Sequence, residues 1–394
     1  MKPSDSRYLL TEEERAYFES RHEDCVALLK TLCGIPAPSN QERRRAEFVR
    51  DWLQERGAQG VYIDEADNCL WPIHCEGRDD ITVFMAHTDT VFPDTEPMPF
   101  REEDGRFFSP GVGDDTANLT MLLLVAEYIL KTGRTPQCGI LLAADSGEES
   151  RGDLRGCRQI LKDYAGRIRN VISLDGPCFR YTNRALGGSK YEIELRTEGG
   201  HAFSDFGNRN AVHIMSTLVA ALYAVKVPQI GNSVSTYNVG TFNGGHSVNS
   251  IAEYAKISYE LRSDTQACRD QLQAAFDGLI RAYSAMPGVE VTVTKVSDRP
   301  SAGDVDWAEQ EKLERHFMQF FEAYKGEVPW STPGSSDINI PQSLGIASLA
   351  FGGYMGKKNH TREEWLEAES LRSGLLVIAA SILSYFRGEP PKFK

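Results

Sequence analysis

Acidic and imidazole side chains gather just past the ends of short apolar runs in this 394-residue chain. His87 and Asp89 follow ITVFM at 81–85, Glu148 and Glu149 follow ILLAA at 140–144, Asp175 follows VISL at 171–174, and His360 lies beyond IASLA at 346–350. Asp114 and Asp115 stand where a helical pattern opens near Ala117. Imidazole nitrogen and carboxylate oxygen without thiolate suit Zn²⁺, or a similar divalent ion such as Mn²⁺ or Co²⁺. Two such ions, about 3.5 to 4 Å apart, acidify a shared water and polarise a scissile carbonyl, and a carboxylate lying between them can bridge both. In His87-x-Asp89 the two side chains are close enough on an extended segment for the carboxylate to orient the imidazole.

Residues so far apart in sequence converge only if a fold brings strand ends together. The runs at 81–85, 140–144, 171–174 and 346–350 are continuously apolar, as strands buried on both faces are. Helical patterns at 117–131, 155–164, 306–324 and 365–386 alternate with them, which predicts an α/β layer with a mostly parallel sheet. In such sheets ligands bind outside the carboxyl ends of the strands. Thr11 with Glu14 makes a capping box that predicts a helix to about Leu32, and 41–56 has helical spacing. The middle of the chain reads strand 190–196, helix 210–225, strands 234–241 and 252–261, helix 266–285 and strand 289–296. That β-α-β-β-α-β order predicts a ferredoxin-like α+β domain inserted at 187–297, dividing the α/β domain into segments 1–186 and 298–394.

Composition narrows the classes. With 41% hydrophobic and 25% charged residues the chain reads as globular. A net charge of −13 (43 basic against 56 acidic residues) argues against nucleic acid and against an anionic membrane surface as partners. The first twenty residues lack the apolar core of a secretory signal, so the expected location is cytoplasmic. The eight cysteines form no C-x-x-C pair and suit a reducing compartment as buried small side chains. His22, His213 and His316 fall on helices among apolar positions and read as packing residues. The pair Ser335-Ser336 lies outside any G-x-S-x-G elbow, which argues against a serine nucleophile.

Taken in order, HTDTVFP (87–93), PGVGDDTANL (110–119), SGEES with GDLRG (146–150, 152–156), LDGP (174–177), GGHAFSDFGNRNAVH (199–213), GGHSVNSI (244–251), and GSSDINIP with KKNHT (334–341, 357–361) resemble the M20 family of metallopeptidases. The likeness is greatest to its dipeptidase, tripeptidase and glutamate carboxypeptidase branch. The resemblance implies a zinc-exopeptidase-like catalytic domain and two divalent metal ions per subunit, zinc in first place. His87, Asp114 and Asp175 would hold one ion, and Asp114, Glu149 and His360 the other, with Asp114 bridging. Glu148 would be the general base, Asp89 the acid behind His87, and His201 an oxyanion donor reaching the opposite subunit of a homodimer. Asn249 and Arg262 would contact the substrate, Arg262 through a carboxylate. Many relatives carry Lys where this chain has Thr116, and Ser150, His246 and Asn359 also depart from the usual residues.

The expected activity is therefore cleavage of an amide bond in a di- or tripeptide. The alternatives are an N-acyl-amino-acid amidohydrolase or a glutamate-carboxypeptidase-like enzyme on the same centre. A non-catalytic binding protein is the remaining reading, disfavoured by the retention of Glu148 and every ligand.

Overall fold

The computed structural model describes residues 6–149 and 151–387, so Ser150 lies outside the described residues. The chain divides into two compact units, Met1–Ala185 with Asp304–Lys394, and Leu186–Gly303.

The first unit opens with helices α1 (Glu12–Ser20), α2 (His22–Cys33) and α3 (Arg43–Glu55), followed by strands β1 (Tyr62–Ile63), β2 (Cys69–Ile73) and β3 (Ile81–His87). Among the described residues it carries an eight-stranded sheet in the order β1, β2, 140–145, β3, 168–173, 348–351, 180–185, 330–334. Strand β3 runs parallel to both neighbours, Ile140–Asp145 and Ile168–Ser173, and Ser348–Phe351 continues the parallel set. Every residue of β3 and of Ile140–Asp145 is buried, which is why both read as unbroken apolar runs. Alternation still decides direction. Phe84 and Ala86 enter one core with Leu122, Phe317 and Leu376, whereas Val83 and Met85 enter the other with Leu154, Cys157 and Ile160. Helix α4 (Thr116–Thr132) packs on the first face. All parallel strands end on one side, so the loops after residues 87, 145 and 173 leave from a common edge.

The second unit has a four-stranded antiparallel sheet in the order 235–244, 254–263, 187–196, 290–299. Helices Ala211–Tyr223 and Gln266–Ser284 cover one face, where Tyr191, Ile193, Ile257 and Tyr259 meet Met215, Leu218, Leu272 and Phe276. This is the ferredoxin-like arrangement expected from the element order.

Several local expectations need correction. The helix expected from Thr11 to Leu32 is two helices. The capping box at Thr11 and Glu14 is present, but Arg21 leaves helical geometry (ψ 11°), and its guanidinium bonds Asp24 and Glu127. The two pieces then pack on different partners, α1 on the helix Ser370–Leu383 and α2 on α4. The helix expected over 365–386 begins only at Ser370, because Trp365–Glu367 is a strand in which Leu366 lies opposite Phe107. Its extended backbone turns Leu366 inward between two outward neighbours. Strands 180–185 and 330–334, the last two of the sheet, escaped a reading based on apolar runs because they are only partly buried. His213 is exposed rather than packed, since its helix buries Ala211, Met215, Leu218 and Leu222 instead. His316 is buried among Tyr8, Phe317, Phe320 and Tyr385 with Nε2 at 3.0 Å from Ser384 Oγ.

Among the described residues no helix is long and apolar enough to cross a membrane. All eight cysteines are unpaired and buried.

The sheet's edge is set by close backbone approach. A β-carbon at Gly352 would stand 1.6 Å from the Gly176 carbonyl oxygen and 2.6 Å from Asn118 Nδ2. Gly352→Ala is therefore expected to destabilise the protein by about 3 kcal/mol or more. Gly278→Ala, on an open helical face whose nearest atom is 3.9 Å away, is expected to be neutral or slightly stabilising. Paired thermal melts measure the difference, and equal melting temperatures would contradict the packing argument.

Candidate metal centre

His87 is the last residue of β3 and is almost fully buried. Its Nε2 lies 3.1 Å from Asp114 Oδ1, and its Nδ1 lies 3.3 Å from Asp89 Oδ1. Asp89, itself fully buried, accepts the backbone N–H of Glu148 at 2.9 Å and of Glu149 at 3.1 Å, and the Ser39 hydroxyl at 2.7 Å. One carboxylate thus orients the imidazole and fixes the Glu148-Glu149 turn that follows the neighbouring strand. His360 projects from a loop in left-handed geometry (φ 64°), uncommon for a residue with a β-carbon. Its Nε2 sits 3.1 Å from both Asp114 Oδ2 and Glu149 Oε1.

Among the described residues, three sets of potential ligand atoms lie within 4.8 Å of one another: His87, Asp114 and Asp175; His87, Glu148 and Glu149; and Asp114, Glu149 and His360. Asp114 belongs to the first and the third. His201, Asn249 and Arg262 belong to the other unit. His201 is exposed, and its Nδ1 accepts the N–H groups of Phe203 and Ser204 at 3.2 and 3.3 Å, which leaves the proton on Nε2. Asn249 is exposed on the turn beside it, where its carbonyl accepts the Ala202 N–H at 3.0 Å. Arg262, on the strand Tyr254–Ser263, is bonded to Glu260 at 3.0 Å. His246 is exposed, and Thr116 is buried.

The electrostatics of the first unit's cluster are those of acids crowded in low dielectric. Burial, with Asp114 and Glu148 nearby, pushes Asp175 up to about 7, and burial pushes Glu149 up to about 8. Bonds to Asp114 and Glu149 raise His360 to about 11. Burial opposes charge on His87, yet its bonds to Asp114 and Asp89 outweigh it and lift the imidazole well above its usual range. Imidazoles and carboxylates here hold protons between lone pairs that point at one another. Those lone pairs form an oxygen and nitrogen donor set that fits a divalent cation of the zinc, manganese or cobalt kind.

One contributor was not singled out from the sequence. Glu364 is buried, and its carboxylate accepts the N–H groups of Gly111, Gly113 and Asp114, each at 2.9 Å, tying the loop that presents Asp114 to the segment that carries His360. Its position four residues after His360, beside Glu363 in a charged run, is the only signal the sequence carried. Asn359 donates to Asp114 Oδ2 at 3.2 Å and to the Tyr354 hydroxyl at 2.9 Å, so this departure from the usual small residue adds a contact to Asp114.

A model of the family described as peptidase family M20/M25/M40 matches residues 83–384, and the chain belongs to that family. It is an M20 family hydrolase, with a fold its structural neighbours share. The chain is similar to the succinyl-diaminopimelate desuccinylase of Corynebacterium glutamicum, at 22% identity with 93% of this chain and 96% of that protein covered. Among solved structures it resembles the aminopeptidase PepT of Bacillus cereus (TM-score 0.68, 20% identity, 92% of this chain and 98% of that one). It also resembles the dipeptidase Dug1p of Saccharomyces cerevisiae (TM-score 0.72, 14% identity, 95% and 98%).

Behind the cluster, Asp145 at the end of its strand meets Asp337 of the GSSDINIP segment. Both are fully buried, and neither carboxyl has a separate donor among the described residues. Burial pushes Asp145 up to about 7 and, with the charge of Asp145 beside it, lifts Asp337 well above the carboxylate range. Buried acids in contact share a proton. Because both folded-state values exceed the unfolded ones, the stabilisation is complete below about pH 4 and is lost as pH rises through about 7. Asp337→Asn is expected to raise the melting temperature by a few degrees over the parent at pH 8 and to change it little at pH 5. Equal effects at the two pH values in calorimetry would contradict the shared proton.

Proposed function

We propose that this protein is a two-metal amide hydrolase acting on small peptides in the manner of a di- or tripeptidase. The observation that carries the reading is the convergence of His87, Asp114, Asp175, Glu149 and His360 around Glu148 at the carboxyl edge of the sheet. His87, Asp114 and Asp175 would hold one divalent ion, and Asp114, Glu149 and His360 the other, zinc in first place with manganese or cobalt as alternatives. When bound, the pair would acidify a water and polarise the scissile carbonyl.

The chain's own groups do the rest. Glu148 takes a proton from the attacking water and returns it to the leaving amine. Asp89 holds the His87 ring and, through the amides of Glu148 and Glu149, keeps base and ligand in register. His201, with its proton on Nε2, is the donor for the developing oxyanion, supplied by the second copy of a homodimer. Asn249 and Arg262 bind the substrate, with Arg262 facing a carboxylate. Eight unpaired buried cysteines support a cytoplasmic setting.

A second reading, an N-acyl-amino-acid amidohydrolase, is favoured by the similarity to a succinyl-diaminopimelate desuccinylase. The same centre serves both, and it would also serve a glutamate-carboxypeptidase-like enzyme. A hydrolysis screen of dipeptides, tripeptides and N-acyl amino acids with Zn²⁺, Mn²⁺ and Co²⁺ separates them, alongside Glu148→Gln. About two ions per chain are expected in both proteins, with kcat reduced about 10²- to 10⁴-fold in the variant. Full activity in Glu148→Gln would defeat the mechanism, and rates confined to N-acyl substrates would select the second reading.

A further inference from the structure

Residues 39–45, which run into the first turn of α3, touch the segments that carry His87, Asp114 and Glu149. Ser39 bonds Asp89 at 2.7 Å. Asn40 donates to the Arg151 carbonyl at 3.0 Å, and the fully buried Glu42 pairs with Arg155, so both hold the segment following Glu149. Arg45 lies deepest. Its Nη1 donates to the Thr88 carbonyl at 2.8 Å and to Thr116 Oγ1 at 3.4 Å, and its Nη2 donates to the carbonyls of Leu32 and Ile35 at 3.0 and 2.6 Å. Thr88 is the residue between His87 and Asp89, and Thr116 directly follows Asp114-Asp115. Leu32 and Ile35 flank the end of α2, where carbonyls lack helical partners and a cation is favoured.

Arg45 is only 2% exposed, and its acceptors are neutral oxygens. Burying a guanidinium without a bonded carboxylate is costly. An apolar side chain of similar length would fill the space without that cost, but it would leave the carbonyls of Thr88, Leu32 and Ile35 without this donor. What the guanidinium adds is geometry, because a planar fork with several donors fixes three elements relative to one another.

We propose that residues 39–45 clamp the metal centre, with Arg45 as its positioning residue, its guanidinium setting the separation between the His87–Asp89 and Asp114–Thr116 segments. Asp114 ligates from one of these segments and His87 from the other, so a shift of one against the other opens the first ligand set. The proposal rests on the metal-site reading above.

The test measures Zn²⁺ affinity by chelator competition in the full-length parent, Arg45→Lys, Ser39→Ala and Thr116→Val, with the melting temperature of each metal-free protein recorded beside it. Arg45→Lys keeps the charge but cannot span three elements, and its affinity is expected to fall about 10- to 100-fold, the usual effect of losing support behind a ligand. Ser39→Ala and Thr116→Val each remove one contact and are expected to bind severalfold more weakly while melting close to the parent. Parent-like affinity in Arg45→Lys overturns the clamp, even if that variant melts lower, because that pattern belongs to a purely structural residue. If Arg45→Lys does not fold, unchanged affinity in the other two overturns it. A parent that binds no divalent ion defeats the metal reading itself.

Discussion

Carboxylates brought together out of water repel one another, and this molecule gathers Asp89, Asp114, Asp115, Glu148, Glu149 and Asp175 at one edge of its sheet. The surrounding structure can be understood as the means of holding them there. Each acid either accepts several N–H groups, as Asp89 does, or faces an imidazole, as Asp114 faces His87 and His360. Burial and the neighbouring acids still raise the carboxyls of Glu149 and Asp175 above the usual carboxylate range. A site built this way is strongly attractive to divalent cations, and it costs stability when none is bound.

Holding such a cluster takes rigid support from several directions. The parallel strands deliver His87, Glu148 with Glu149, and Asp175 to one edge, but loops present Asp114 and His360, and a loop holds its shape only where its backbone groups are bonded. Glu364 supplies three acceptor contacts to the Asp114 loop, Asp89 fixes the turn after the strand 140–145, and Arg45 joins the Thr88 carbonyl, between His87 and Asp89, to the Leu32 carbonyl at the end of α2. These supports are buried and charged. Their cost is tolerated because an error of about an ångström in a ligand position is itself expensive.

The legibility of the sequence followed the physics of each element. Central strands buried on both faces announced themselves as apolar runs, and the amphipathic elements of the smaller unit announced themselves by period. Strands 180–185 and 330–334, the last two of the sheet, did not, because half-exposed strands carry mixed side chains. The break at Arg21 and the strand at Trp365–Glu367 were invisible because helical spacing continues through both, and only contacts with distant residues, Glu127 in one case and Phe107 in the other, select the observed backbone. Arg45 and Glu364 were missed for a related reason. Each looks like one more charge in a charged run, RRRAE and REEW, until burial singles it out.

The sequence alone determined which chemistry was available, because imidazoles and carboxylates placed after apolar strands limit the donor set to nitrogen and oxygen, and their order carries the family. It also determined the central parallel strands and the strands of the smaller unit, since burial pattern is written directly into side-chain type. Only the tertiary structure decided which acids meet, which of them keep protons, and which buried charges serve as supports. Those properties depend on distances between residues far apart in the chain, and Coulomb interactions and desolvation act through space.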